Sequence, residues 1–374
     1  MGKLAVGVRS EVRPFSYKLP RNTIDSDATR GPLSRAYYGG YVIRICDAVL
    51  TEMLVDAPEL QGSDIRIYDI DLGKYYDQNQ DVEPEPPQHP DTSSGAALRF
   101  KYLGEKYDIL CDPATITNGR REWTVSPPLF LTGIGYLSIK GQAAPRDCDN
   151  PDPSDPDRKD APKGSTARRT PATGENKSTE DQQTKQKPQP ALIGLVEGTT
   201  AVNQGLQALV DAKEMPRYEQ VLVAYLRDKN NNQCKDGRVL VRSYPTYQQA
   251  AEGFCNGQAF HYFVGDLEII RTYVAAIPGC KFDNGIATYT NDRYGIFGRA
   301  IATENGKQSE SRKLIVARFF DILAQKVMFN PSILDKAYID TFPNQQQSRK
   351  LKLFYWAIRG ERQQETPAAI PSNE

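Results

Sequence analysis

YDILCDPATITNGRREWTVSPPLF, residues 107–130, decides how this chain is read. Residues 108–111 read as a short buried strand, which opens into a run of hydroxyl side chains and then Arg120 and Arg121. Thr115 and Arg120 suit a grip on one carboxylate, the hydroxyl giving one hydrogen bond and the guanidinium a charged fork. An ordinary surface loop with a structural arginine fits the same letters, so the flanking chain has to choose. Residues 4–8 alternate like a strand and run into RSEVRPFSY, residues 9–17. Gly40-Tyr41 leads a helical pattern with apolar residues at Val42, Ile45, Cys46, Val49, Leu50 and Met53. Residues 192–196 form a buried-strand run that ends in Glu197-Gly198-Thr199-Thr200, followed by helical spacing at Val202, Leu206 and Leu209. GQAFHYFVGD closes the series at residues 257–266.

These blocks, in this order, resemble family 3 of the bacterial extracellular solute-binding proteins, the amino-acid receptors of ABC importers. The resemblance runs over roughly residues 4–330, less two inserts. It implies an α/β fold of two lobes, each a mixed sheet flanked by helices, in the type II periplasmic-binding-protein manner. Residues 1–140 would begin the first lobe, 191–285 form the second, and 286–334 supply the return crossing and closing helices. Residues 335–374 would be a C-terminal extension and tail, its basic aromatic stretch at 349–359 reading as a helix docked on a lobe.

The resemblance also implies a site. Arg120 would pair with the ligand's α-carboxylate, Thr115 would touch the same ligand, and Thr200 would start a helix whose N–H groups favour an anion. Asp266 would take the α-ammonium. Pro113 stands where the family has glycine or serine, which removes a donor and keeps the carbonyl. Arg9, five residues before Pro14, matches the arginine that glutamate/aspartate receptors offer to the ligand's side chain, and Phe15 and Tyr17 would wall the apolar side. Each has a plain structural reading too: Gly198-Thr199-Thr200 and Asp266 as helix caps, Arg9 as a surface charge, Phe15 and Tyr17 as core.

The expected role is capture of a polar amino acid, glutamate or aspartate, by a monomer that hands it to an ABC permease without cofactor or metal. Two alternatives stand beside it: a ligand-sensing domain for signalling, and a cyclohexadienyl dehydratase-like enzyme using Glu11 or Glu197 as its acid.

Composition fits and excludes. Lys plus Arg and Asp plus Glu each total 47, so nothing here tracks a phosphate backbone. No apolar run reaches the ~18 residues of a membrane span. The family is exported to the periplasm, yet MGK runs straight into the first strand without an export signal; either the signal has been left off or the protein stays inside. Residues 73–95 read as an exposed Pro-rich loop. Residues 141–190 contain no Val, Ile, Leu, Met or aromatic residue and read as a disordered insert at the first lobe crossing. Of six cysteines, Cys46 and Cys111 sit in apolar patterns and read as buried free thiols; Cys234, Cys255 and Cys280 are the disulfide candidates, their pairing open.

Overall fold

A computed structural model describes residues 4–20, 31–56, 64–70, 99–142, 145, 148, 190–234, 237–257, 259–285, 287–302, 309–330, 332–343 and 346–359. Its strands run, in chain order, β1 (Leu4–Arg9), β2 (Glu11–Val12), β3 (Ser16–Lys18), β4 (Tyr38–Gly39), β5 (Ile65–Ile70), β6 (Ile109–Thr115) and β7 (Thr124–Val125). Then come β8 (Phe130–Thr132), β9 (Ile134–Ile139), β10 (Ala191–Val196), β11 (Val241–Tyr244), β12 (Phe260–Asp266), β13 (Phe282–Asn284) and β14 (Asp292–Gly298).

They make two principal sheets. The first is ordered β5-β1-β6-β14-β7, with β8 also paired to β14, and the second β11-β10-β12-β9-β13. In both, three parallel strands are followed by an antiparallel one that arrives from the other side of the molecule: β9 carries the chain into the second sheet and β14 brings it back to the first. The chain therefore crosses twice between two lobes. The all-buried runs of β1, β6 and β10 are what a parallel sheet covered on both faces requires.

The crossings lie against each other. A Cβ on Gly133, between β8 and β9, would come within 2.3 Å of the Thr290 carbonyl oxygen, so only glycine lets the two strands approach this closely. Ile134 N–H donates to Thr290 Oγ1, and that hydroxyl donates to Asp292 Oδ2 at 2.9 Å. Gly40 has a comparable reason. Its φ of +117° and the Phe15 carbonyl 2.4 Å from where a Cβ would stand let the helix Tyr41–Asp56 start by bonding the carbonyls of Pro14 and Phe15.

Asp108, first residue of the D-I-L run, is structural. It is fully buried, accepts from the Ala5 and Ile301 N–H groups, and takes a two-pronged grip from Arg312 at 2.6 and 2.8 Å. It thereby fastens β1, β6 and the helix Glu310–Phe329 together.

Two sequence expectations change here. Cys46 and Cys111 are bridged rather than free: the helix packs on β6 and holds their Cα atoms 6.3 Å apart, within bridging range. Cys148, inside the stretch read as disordered, is buried and bridged to Cys234, while Tyr218 Oη donates to the Pro145 carbonyl, so the start of that stretch is fastened to the second lobe. Cys255 pairs with Cys280. The remainder of residues 141–190, apart from 141, 142 and 190, and all of the loop 73–95, lie outside the described residues. The C-terminal helix Arg349–Arg359 docks through buried Leu351 and Tyr355, whose hydroxyl is 2.6 Å from that of Tyr41. Among the described residues no helix is long and apolar enough to cross a membrane.

Candidate functional site

In open α/β sheets the C-terminal ends of parallel strands border the crevices where ligands bind. Here the ends of β1, β6, β10 and β12 meet across the gap between the lobes. A cavity of about 20 Å³ lies there, walled on the first lobe by Arg9, Val12, Arg99, Pro113, Thr115 and Tyr294. Thr199, Thr200, Tyr247, Asp266 and Ile269 close it from the second. That is room for about one water molecule, so the lobes stand nearly shut. Tyr273 Oη, on the second lobe, latches them by donating to the Glu11 carbonyl at 2.8 Å.

Beneath the first-lobe wall lies a charge cluster with little water around it. Asp112 is wholly buried; Arg99 Nη1 donates to its Oδ2, and Arg9 Nη1 lies 4.0 Å from the same oxygen. Arg99 is positioned by its surroundings: Tyr107 Oη bonds its carbonyl, and its neighbour Phe100 stacks on Trp123 with centroids 4.7 Å apart. The Asp112 charge pushes the Tyr107 hydroxyl pKa up further, beyond what burial does.

Asp266 is in the opposite condition. Its Oδ1 is buried and has no hydrogen-bond partner, a costly state for a charged group. Burial first, then the nearby carboxyl of Asp292, pushes its pKa up to about 8, while the Tyr294 hydroxyl pulls it down. Asp292 is raised as well, chiefly by burial, with Thr290, Lys350 and Arg120 pulling it down. Asp266 directly precedes the helix Leu267–Ala275 but makes no side-chain capping bond, which disposes of the helix-cap reading. Thr199 likewise makes no capping bond; its hydroxyl donates back to the Val196 carbonyl. Thr200 opens a 3-10 turn, Thr200–Val202, rather than the longer helix.

Of the residues singled out from sequence, Arg9, Pro113, Thr115, Thr200 and Asp266 come together at the cavity. Arg120 stands immediately behind its wall, with Nη1 donating to the Thr115 carbonyl at 2.8 Å and the guanidinium 4.5 Å over the Phe100 ring. Phe15 and Tyr17 do not wall the cavity. Phe15 is fully buried in an aromatic cluster with Tyr41, Phe130, Tyr294 and Phe342, because its large ring finds more apolar contact there than at a polar cleft. Tyr17 faces outward in β3, with Arg13 4.2 Å over its ring. Neither Glu11 nor Glu197 lines the cavity.

Sequence reading missed Arg99, Asp112, Tyr247 and Tyr294. Asp112 had a signal: a carboxylate inside the otherwise uncharged run ILCDPAT of β6 needs a buried partner.

The described residues form two α/β lobes, each built on a mixed sheet of three parallel strands and an antiparallel crossing strand. No family model and no curated protein matches the chain. Among solved structures, an ancestral arginine-binding protein bound to glutamine is similar at 13% identity over 91% of this chain and 98% of that one, with a TM-score of 0.48. An ancestral amino acid-binding protein described as a precursor of cyclohexadienyl dehydratase aligns at 15% identity over 91% and 95%, TM-score 0.45. Holo ArgBP from T. maritima aligns at 14% over 90% and 96%, TM-score 0.44.

Proposed function

We propose that this protein is a receptor that closes its two lobes on a free amino acid. The observation that carries the reading is Asp266: a buried carboxylate oxygen without a partner, on one lobe, across a small cavity from guanidiniums on the other. Guanidiniums on one lobe and, on the other, a carboxyl that gives up its proton to an arriving ammonium suit a zwitterion, and a ligand held by both lobes favours the closed state in proportion to those contacts. Asp266 takes the α-ammonium. Arg120 takes the α-carboxylate with the Thr115 hydroxyl, its guanidinium being already fixed on the Thr115 backbone, and Thr200 supplies the second lobe's contact to the same group.

No bond is made or broken in this reading. The receptor works outside the cytoplasm, as three disulfides among the described residues favour, and delivers its ligand to an ABC permease. The deciding experiment is a thermal-shift screen of the purified chain against the common amino acids and, as controls, their deaminated and amidated analogues. A ligand at ~100 times its Kd stabilises by about 2.7 kcal/mol. Free amino acids should raise Tm and analogues lacking either charge should not. A screen in which no amino acid moves Tm would overturn the reading.

A further inference from the structure

We propose that Asp112 is a built-in counter-ion that occupies the arginine pair Arg9 and Arg99, so that the cleft takes amino acids with uncharged side chains and turns away glutamate and aspartate. The proposal rests on the receptor reading above and reverses the side-chain preference that Arg9 suggests in the sequence.

Three observations carry it. The first is position: Asp112 precedes Pro113, a cavity residue, on β6, and its carboxylate lies between the two guanidiniums, bonded to Arg99 and 4.0 Å from Arg9. Arg9, the guanidinium that the sequence offers to a ligand's side-chain carboxylate, thus already has a carboxylate of the chain beside it. The second is fixity. Arg99 is held by Tyr107 at its carbonyl, and Asp112 is part of a strand buried at every residue, so the pair does not depend on a ligand to form.

The third is that the cleft's guanidiniums are already committed. Arg9 and Arg99 face Asp112, and Arg120, bonded to the Thr115 carbonyl, takes the ligand's α-carboxylate in the receptor reading. An acidic side chain would add a negative charge beside Asp112, and a buried charge without its own counter-ion is strongly disfavoured. Asp112 is wholly buried directly behind Pro113 of the cavity wall, close enough for like charge to oppose a carboxylate arriving there.

The test uses the full chain and calorimetric titration with alanine, serine, glutamine, aspartate and glutamate, on wild type and on Asp112→Asn. In wild type the best neutral amino acid should bind at least tenfold more tightly than either acid. Asp112→Asn keeps the side chain's shape and releases the arginines, and should strengthen aspartate or glutamate by tenfold or more while changing the neutral ligand by less than threefold. Wild type preferring an acid overturns the proposal and leaves the receptor reading standing. So does a folded Asp112→Asn with unchanged selectivity. Absence of binding by every amino acid removes both. The wild-type comparison decides the matter even where the variant fails to fold.

Discussion

Two aspartates from opposite lobes face the same gap and live under opposite conditions. Asp112 is clasped by Arg99 and approached by Arg9. Asp266 has no ion-pair partner among the described residues, feels Arg99 only weakly, carries an oxygen without a hydrogen bond and has another carboxyl, Asp292, for a neighbour. A buried charge that is paired within the fold belongs to the framework and shapes what may enter. One left unpaired keeps its proton or awaits a partner from outside. The difference turns on which strand ends bring arginines along: β1 ends in Arg9 beside β6, whereas the adjoining ends of β10 and β12 bring none.

Removing the paired acid should cost most. Asp112→Leu strands two buried guanidiniums, a loss of about 3–5 kcal/mol, read as a lower denaturation midpoint in chemical unfolding. A loss below about 1 kcal/mol would place Arg9 and Arg99 in water and erase the contrast. The unpaired acid behaves otherwise. Asp266→Asn should leave the ligand-free protein as stable as wild type at neutral pH or more so, yet weaken α-amino acids by about 2–5 kcal/mol. Analogues without the amine should be spared; equal losses for both kinds would take Asp266 off the ammonium.

How much of this was legible beforehand follows from what each residue type announces. Strand β10 was readable as a continuous apolar run, β1 as an apolar stretch that alternates like a strand, β6 only in its first half because Asp112 and Pro113 interrupt it, and the helix from Tyr41 because its apolar residues recur at helical spacing. Arg9, Pro113, Thr115, Thr200 and Asp266, singled out by resemblance to the family motifs, all border the cavity; Arg9, Thr115 and Asp266 are the last residues of β1, β6 and β12, where a polar residue closes a strand. Arg99 escaped because it reads only as one residue of a helix-like segment, 96–103, and no letter there says that the segment packs against β6. Phe15 was misplaced because a buried aromatic looks the same in sequence whether it lines a core or a cleft. The Cys46–Cys111 bridge escaped because an apolar helix and an apolar strand do not say in letters that they face each other.

Acidity offers a gentler probe. Asp266 has a folded-state pKa of about 8 against ~3.9 in an unfolded chain. Between those values the folded state holds a proton that the unfolded state has lost, so stability is fully present below about pH 4 and declines as pH rises towards 8. The slope is at most about 1.4 kcal/mol per pH unit for one proton. Asp266→Asn should flatten that slope. An ammonium ligand should expel the proton, seen as a dependence of binding heat on buffer ionisation near pH 7. A pH-independent heat together with an unchanged slope would mean that Asp266 is ionised throughout.

The smallest effect reaches the pair from the C-terminal helix. Lys350 Nζ donates to Thr288 Oγ1 on the return crossing at 3.3 Å, and its charge lowers the pKa of Asp292 and of Glu268. Lys350→Gln removes that cation, so Asp292 should hold its proton more tightly, and the Asp266–Asp292 pair should titrate at higher pH. Lys350 is exposed, and interactions of this kind are worth about 0.2–1 kcal/mol, which corresponds to ~0.15–0.7 pH units. The shift should shrink in high salt, because water and ions screen an exposed lysine more than they screen a buried acid. Asp112 would feel none of it, since its partners are Arg99 and Arg9 within the first lobe. If Lys350→Gln destabilised the protein as much as Asp112→Leu, the helix would be holding the crossing in place rather than tuning a proton, and the contrast between the two aspartates would lose its link to the chain's end.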